Sequence, residues 1–300
     1  MSQSLTRLRG TAIDDAQAEA FAMHAARLIV TADDEYWLEA AARSACGYAT
    51  SIIGCDAEAG IERHLEPGQT PDRRPGVALL FFARTVEKLV EAVRNRTGQC
   101  LMTCPTTMVF DGLEQCAERF ALGQWVRYFG DGFEQEARRG GRDGYVVPVT
   151  AGEFFCEGFA GRIEGVGGGT LLLGGNDHAP LLLAARRAVE AIAERQDVIT
   201  PFPGGVCRCG SKVGGRTYKI VATTNDAYCP TLRDQARTNL PAYVRCVYEV
   251  VIDGLTVEAV STAMLAVIEA AAGPGVQWIS SASIGGALGK IRLPLRELLG

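Results

Sequence analysis

The length, composition and charge of the chain limit what it can be. Its 300 residues indicate two domains or one large one, and 47% hydrophobic residues are enough to build a sizeable core. A net charge of −5 excludes the basic footprint of a nucleic-acid-binding protein. No apolar run approaches the ~20 residues that a membrane-spanning helix needs.

The chain has ten cysteines, and their spacing bears on compartment and metal binding. No apolar leader precedes them, so we expect a reducing cytoplasm in which they remain thiols and pack as small hydrophobic groups. The closest pairs are Cys207-x-Cys209 and Cys100-x3-Cys104, and neither has a second pair at zinc spacing. We therefore expect no bound metal.

The hydrophobic pattern of the first half predicts elements in the order β-α-β-β-α-β. The predicted strands are Arg27–Thr31, Thr50–Cys55, Val77–Ala83 and Gln99–Thr103, and the predicted helices are Glu35–Cys46, begun by Asp33-Asp34, and Thr85–Arg96. Outside this unit the pattern predicts helix over Ala18–Ala25, helix at most over 106–124, and short strands at Val126–Phe129 and Tyr145–Val149. The order is that of a split βαβ, or ferredoxin-like, fold, an antiparallel sheet with both helices on one face.

The second half repeats the theme. Its predicted elements are strand Thr170–Leu173, helix Leu181–Glu194, a hairpin of Val206–Lys212 and Thr217–Ala222, strand Arg245–Ile252, helix Val257–Ala272 and strand Val276–Ser281. The sequence thus predicts an α+β protein of two ferredoxin-like lobes, residues 1–149 and 150–300.

One carboxylate lies on an otherwise apolar strand. Glu249 shares a face with Val247 and Val251, and both faces of the strand have the composition of covered surfaces. Burial raises the pKa of a carboxyl group towards the range that general acid–base catalysis requires. The alternative is a strand glutamate at a sheet edge that faces solvent or pairs with an arginine.

Two loops have the composition of binding segments. In Pro201–Gly205, prolines stiffen a turn whose Gly204-Gly205 backbone a ligand can approach, although a plain loop has the same pattern. In Thr224–Thr231, Asn225 and Asp226 can read the edge of a heterocycle and Tyr228 can stack on it, or Asn and Asp can simply form turns.

Three further segments follow predicted strands, where scaffolds often hold binding groups, although each alone is more often an ordinary turn. They are Asp56–Gly60, Pro105–Thr107 and Phe129–Phe133. The glycines of 165–169 lack the dinucleotide fingerprint and predict a tight turn. No G-x-S-x-G or Cys/His arrangement indicates covalent catalysis, which leaves acyl or proton transfer by a carboxyl group and backbone donors.

Stretches along almost the whole chain resemble formylmethanofuran–tetrahydromethanopterin formyltransferases. They are Cys55–Ile61, Thr70–Val77, Gly98–Thr103, Phe129–Phe133, Pro201–Gly205, Ser211–Gly214, Thr224–Thr231 and Cys246–Ile252. Their number and order make the resemblance specific, while the Cys104-Pro105 pair and residues 292–300 differ from the archaeal pattern.

The resemblance implies a homotetramer of two-lobed subunits and metal-free transfer of a formyl group between N5 of tetrahydromethanopterin and the amine of methanofuran or methylofuran. These carriers would be substrates, with no prosthetic group. The cysteine content and arginine-rich composition resemble the aerobic methylotroph branch. That likeness implies a formyltransferase/hydrolase complex in formaldehyde oxidation, with an amidohydrolase-type partner subunit.

The resemblance also implies that Glu249 is the catalytic glutamate. The residues predicted to bind substrate are Cys55, Glu58, Gln99, Pro105, Thr106, Phe129, Asp131, Gly204, Gly205, Asn225, Asp226 and Tyr228. Backbone N–H groups at Gly204-Gly205, or the Asn225 amide, are the candidate oxyanion donors. The competing hypotheses are a non-catalytic scaffold subunit that only binds a carrier and, more weakly, a nicotinamide-dependent oxidoreductase.

Overall fold

The computed structural model describes residues 6–193, 195–282 and 289–300, which form two compact units. Unit A contains residues 23–165 and 195–199, and unit B contains residues 6–22, 166–193, 200–282 and 289–300. In chain order the strands are β1 (Thr6–Leu8), β2 (Thr11–Ile13), β3 (Gln17–Thr31), β4 (Glu58–Leu65), β5 (Gly76–Ala83), β6 (Met108–Asp111), β7 (Arg119–Ala121), β8 (Gln135–Arg139), β9 (Arg142–Val149), β10 (Gly152–Glu157), β11 (Phe159–Gly161), β12 (Ile163–Gly175), β13 (Val198–Ile199), β14 (Ser211–Val213), β15 (Ala222–Thr224), β16 (Cys246–Gly254), β17 (Trp278–Ser280) and β18 (Ile291–Pro294). The α-helices are α1 (Glu35–Cys46), α2 (Val86–Arg96), α3 (Gly123–Val126), α4 (His178–Glu190), α5 (Val257–Ala271) and α6 (Leu295–Leu298).

Unit A is built on the split βαβ order. Its central strands lie in the order β4-β5-β3-β6, and each neighbouring pair is antiparallel. Beyond β6 the sheet continues with β10, which is parallel to β6, and then with β9 and β8. Every residue of β5 is buried because this strand lies between β4 and β3 and both of its faces are covered.

Helices α1 and α2 cover one face of the unit A sheet. Small side chains of α1, such as Ala41 and Ala45, and Leu89 of α2 share one core with Leu28 and Phe81 of the sheet. Polar side chains begin both helices: Asp34 accepts the N–H of Trp37, and Thr85 caps α2 in the same way. The apolar side chains along each helix determine which of its faces packs against the sheet.

In unit B the strand order is β1-β2-β17-β12-β16. Strand β12 is antiparallel to both β16 and β17, and β2 is parallel to β17. Helices α4 and α5 contact each other, and both contact β16. The sequence of β12, α4, β16, α5 and β17 repeats the alternation of unit A.

Most of the predicted elements of unit B are confirmed. Strand β16, helix α5 and strand β17 differ from prediction by at most two residues at their ends. The helix predicted at Leu181–Glu194 is α4, and its predicted last residue lies outside the described residues. The hairpin exists, but its strands are β14 and β15, a shift of several residues. The tight turn predicted at 165–169 is wrong, because these glycines lie within β12.

In unit A the two helices, β5, and strands at Arg27–Thr31 and Tyr145–Val149 are confirmed. Several other predictions are wrong. The helix predicted at Ala18–Ala25 is part of β3, and the strand predicted at Thr50–Cys55 is a turn that β4 follows. The strand predicted at Gln99–Thr103 overlaps a π-helix (Thr97–Leu101), and the helix predicted at most over 106–124 is replaced by β6 and β7. The strand predicted at Val126–Phe129 forms short helical turns.

Candidate active site

Strand β16 places Glu249 in a covered position in unit B. Glu249 lies opposite Leu172 of β12, and on its other side it forms an isolated antiparallel bridge with Cys207. In that bridge the Glu249 N–H donates to the Cys207 carbonyl over 2.8 Å, and the Cys207 N–H donates to the Glu249 carbonyl over 2.8 Å. As a result Glu249 is 8% exposed and Cys207 is 4% exposed.

The Glu249 side chain faces a cavity of about 280 Å³ that lies within unit B. The cavity is lined by Leu172, Cys207, Arg208, Cys209, Gly210, Thr224, Asn225, Tyr228, Cys229, Pro230, Val247 and Glu249. The strand thus supplies the carboxyl group, and two loops, 207–210 and 224–230, supply most of the polar and aromatic walls.

Burial dominates the electrostatics of Glu249. It raises the pKa of the carboxyl group to about 7, and a hydrogen bond from the Cys207 thiol opposes that rise. Burial also raises the pKa of the Cys207 thiol to about 12, so this thiol stays protonated and able to donate. At neutral pH Glu249 can therefore hold or release a proton.

Because Gly210 has no side chain, the carboxyl group of Glu249 has room to lie beside it. A Cβ atom on Gly210 would lie 3.0 Å from the Cδ and both carboxylate oxygens of Glu249. The Gly210 carbonyl also accepts the N–H of Asn225 over 3.0 Å, which joins the two loops. One glycine thus holds the 224–230 loop and admits the carboxyl group.

The 224–230 loop presents an amide and an aromatic ring to the cavity. Asn225 is buried, and the ring of Tyr228 stacks against Trp278 with 6.2 Å between centroids. Asp226 accepts a hydrogen bond from the Lys212 ammonium over 2.6 Å, and Lys212 lowers the pKa of Asp226. Asp226 is therefore an anchor of the loop and not one of the groups that line the cavity.

The Gly204-Gly205 segment is outside the cavity lining. The Gly205 N–H donates to the Phe202 carbonyl over 2.7 Å, and a Cβ on Gly205 would lie 2.5 Å from Cγ1 of Val189. Because this N–H already has an acceptor within its own turn, the Asn225 amide is the better placed of the two predicted oxyanion donors.

Comparison with known proteins gives two matching family models. Residues 6–149 match formylmethanofuran-tetrahydromethanopterin formyltransferase, and residues 152–298 match the proximal lobe of the same family. The chain belongs to this formyltransferase family.

Curated members of the formyltransferase family are similar over nearly the whole chain. The formylmethanofuran–tetrahydromethanopterin formyltransferase of Methylococcus capsulatus is 45% identical over 296 residues, which cover 97% of this chain and 99% of that protein. A subunit of the formyltransferase/hydrolase complex of Methylorubrum extorquens is 44% identical over 302 residues, covering 97% of each chain.

Two solved structures have the same fold. The formyltransferase of Methanosarcina barkeri superposes with a TM-score of 0.93 at 44% identity, covering 98% of this chain and 100% of that one. The formyltransferase/hydrolase complex of Methylorubrum extorquens, solved with methylofuran, contains a chain that superposes with a TM-score of 0.94 at 43% identity, covering 99% of each. The predicted family and the predicted α+β fold of two ferredoxin-like lobes are confirmed.

The formyltransferase site residues predicted from the sequence divide between the two units. Glu249, Asn225 and Tyr228 line one cavity, with Asp226 beside them. Gly204 and Gly205 belong to unit B but lie outside that cavity lining, and the other predicted binding residues belong to unit A: Cys55, Glu58, Gln99, Pro105, Thr106, Phe129 and Asp131.

Most of these unit A residues are accessible, and Glu58 is the exception. Phe129 is 66% exposed, whereas the buried Glu58 accepts the N–H of Ile52 over 3.0 Å. Thr106 and Asp131 have φ angles of 65° and 50°, which fix sharp turns. A larger cavity of unit A, of about 650 Å³, is lined by other residues, among them Glu39 and His64. The binding roles of the unit A residues stay predictions.

Sequence reasoning missed Arg208 and Gly210, gave Cys207 and Cys209 no role in the cavity, and included Cys229 and Pro230 only as parts of the Thr224–Thr231 loop. The signal available was a short Cys-Arg-Cys-Gly run (207–210) within the predicted hairpin strand Val206–Lys212. Within the described residues, no group of three His, Cys, Asp or Glu side chains is placed to hold a metal ion. Nor does any helix in that part of the chain have the length and apolarity to cross a membrane.

Proposed function

We propose that this chain transfers a formyl group between N5 of tetrahydromethanopterin and the amine of a methanofuran-type carrier, methanofuran or methylofuran, with Glu249 as the general acid and base. The two carriers are substrates that come and go, in keeping with the names of the relatives. The observation that carries the proposal is a glutamate that is 8% exposed, faces a cavity and has a pKa raised to about 7.

The proposed reaction needs one proton acceptor that becomes a proton donor. The amine nitrogen of the furan carrier attacks the formyl carbon, a C–N bond forms, and the carbonyl oxygen becomes an oxyanion. Glu249 takes the proton from the attacking nitrogen. The bond to N5 then breaks, its electron pair stays on N5, and Glu249 returns a proton to that nitrogen. A pKa near 7 serves both steps, because the carboxylate is basic enough to accept and its acid form is acidic enough to donate.

Asn225 is the proposed oxyanion donor. Its side chain lines the same cavity as Glu249, and its backbone is fixed by the 3.0 Å bond to Gly210. One oriented donor of this kind contributes about 2.7–4 kcal/mol to transition-state stabilisation in other acyl-transfer enzymes. Tyr228, held against Trp278, offers a flat ring on which a heterocycle can stack.

We also propose that the chain works in a formyltransferase/hydrolase complex with an amidohydrolase-type partner in the cytoplasm. Its similarity to a subunit of such a complex in Methylorubrum extorquens supports this assembly. The homotetrameric core and the division into lobes at 1–149 and 150–300 are further parts of the proposal, with the family-model boundaries in support of the division.

The decisive experiment is formyl exchange between the two carriers with wild type and Glu249→Gln, which keeps the shape of the side chain and removes the titratable carboxyl proton. We expect the rate to fall about 10²- to 10⁴-fold while both carriers still bind. Glu269→Gln is the matched control, because Glu269 is an exposed glutamate on α5 and its substitution leaves the rate unchanged.

Two other outcomes would contradict the proposal. Full activity of Glu249→Gln would make the carboxyl group structural and move the proton transfer elsewhere. If wild type binds a carrier but transfers nothing, either alone or with its partner subunits, the chain is the non-catalytic scaffold.

A further inference from the structure

We infer that Cys207 is a positioning residue for Glu249: its thiol donates a hydrogen bond to the carboxyl group and keeps that group poised for proton transfer. The inference rests on the proposed role of Glu249 in the reaction, but the contact itself can be measured without the reaction.

The backbone fixes the two side chains side by side. Cys207 and Glu249 are directly opposite in an antiparallel bridge, and their two backbone hydrogen bonds are both 2.8 Å long. Side chains of such a pair project from the same face with Cβ atoms about 5.5 Å apart or less. Both side chains line the one cavity, and both residues are more than nine-tenths buried. A carboxyl oxygen of Glu249 is thus within reach of the Cys207 sulfur.

The surroundings direct the thiol hydrogen towards Glu249. The backbone N–H of Cys209 donates to the Cys207 sulfur, so this sulfur acts as an acceptor on the side away from its own hydrogen. The other neighbour is the Cys209 sulfur, 3.9 Å away. Sulfur is a weak acceptor, so the carboxylate is the preferred partner of the Cys207 S–H. This gives a relay from the Cys209 amide through the Cys207 thiol to Glu249.

A weak donor suits a carboxyl group that must both take and give a proton. Burial and the Cys207 hydrogen bond are the two causes behind the Glu249 pKa of about 7. A stronger donor would favour the charged form and pull the pKa back towards that of an ordinary glutamate, whereas an apolar neighbour would raise it further. A thiol lies between these limits.

The other groups around Glu249 do not take over this role. Leu172 and Val247 flank it with apolar surface, and Asp226 outside the lining is paired with Lys212 over 2.6 Å. The remaining titratable and charged groups of the cavity are Arg208, Cys209, Tyr228 and Cys229. None of the four is a cause of the Glu249 pKa shift.

The test replaces the donor in two directions. Cys207→Ser substitutes a stronger donor of nearly the same size, and Cys207→Ala removes the donor. We expect the Glu249 pKa to fall by about one unit in the serine variant and to rise in the alanine variant. The matched control is Cys246→Ser, because this buried thiol lies on the same strand but donates to the Gly175 carbonyl. It leaves the Glu249 pKa where it is in wild type.

Two readouts separate the inference from the proposed function. Infrared titration of the carboxyl group, with Glu249→Gln as the blank, gives the pKa directly. The pH dependence of kcat/KM for formyl transfer gives it through the reaction. Opposite shifts in the serine and alanine variants support the inference. No shift, or shifts in the same direction, would overturn it. If the infrared shifts appear while Glu249→Gln remains fully active, the contact stands and the proposed function fails.

Discussion

Gly210→Ala tests whether the position of the Glu249 carboxyl group limits the reaction. The new Cβ would lie 3.0 Å from the Cδ and both oxygens of Glu249, and the carboxyl group must move by about 0.5 Å to reach ordinary contact. Misplacement of a reacting group by about 1 Å costs on the order of 10²-fold in rate, so half that distance predicts a loss of about 10-fold in kcat.

The same substitution has little effect on folding. Gly210 is not among the residues with a positive φ angle, so alanine introduces no backbone strain. Loss of glycine freedom in the unfolded chain contributes about 0.4–1 kcal/mol of stability, which offsets part of the local crowding. We expect a free energy of unfolding within about 1 kcal/mol of wild type.

The assay pairs formyl-transfer kinetics with urea unfolding. Gly68→Ala is the control, because a Cβ there meets no atom within 4 Å and the φ angle is ordinary. An unchanged kcat for Gly210→Ala would refute the role given to the carboxyl position. A loss of activity that only follows a loss of folded protein would refute it equally.

Two predictions concern stability. The pKa of Glu249 is raised from 4.5 to about 7 in the folded protein, so folding stability falls as pH rises through this window, by about 3 kcal/mol in all. Glu249→Gln removes that decline, and urea unfolding of both proteins at a series of pH values from about 4 to about 8 measures it; parallel curves would contradict the raised pKa. Glu62 is another buried carboxylate: Arg27 donates to both of its oxygens over 2.7 and 2.6 Å, and the Asp197 N–H donates over 2.6 Å. Glu62→Ala leaves Arg27 paired with the more exposed Asp197, 2.5 Å away, and is expected to cost about 3 kcal/mol, the low end for breaking a buried pair. Arg27→Met with Glu62→Leu restores most of that loss, and equal losses in both proteins would argue against the ion pair as the cause.

The elements that could be predicted are those whose local pattern agrees with their environment. Strand β16 alternates, and α5 follows it with a threonine cap and an apolar stripe. Strand β4 lacks such an apolar pattern, because it carries the polar residues Glu58, Glu62, Arg63 and His64. The buried Glu62 is balanced by Arg27, which is distant in sequence, so no local pattern identifies the strand.

Two other errors have local causes. The alanines of 18–25 favour helix by intrinsic propensity, but in β3 small side chains fit where the strand pairs with β18 and β5. At Gln99–Thr103 the apolar residues suggested a strand, but the Met102 N–H reaches the Thr97 carbonyl over 2.8 Å and closes a π-helical turn. Strand β6 consequently begins later, at Met108.

The burial of Glu249 was predictable because a carboxylate among the apolar residues of its own strand is visible in the sequence. Its neighbours were not. Gly210 and Cys207 lie about forty residues before Glu249 in the sequence. A single-residue bridge between Cys207 and Glu249 brings both of them beside the carboxyl group. A contact of this kind has no periodic signal, and it takes the folded chain to show which glycine and which cysteine stand beside the carboxyl group.

The bridge between Cys207 and Glu249 also decides which part of the cavity can adjust. The Glu249 amide and carbonyl are both engaged with Cys207, while the strand runs alongside β12. The carboxyl group is therefore attached to a fixed backbone. The backbone N–H of Glu249 exchanges its hydrogen with solvent only when the strand separates from its neighbours. The 224–230 wall consists of short 3₁₀ turns that are tied to Gly210, Lys212 and Trp278 through Asn225, Asp226 and Tyr228. The backbone is thus held on both of these sides of the cavity, and adjustment to carriers of different bulk falls to the exposed side chains of Arg208 and Cys209.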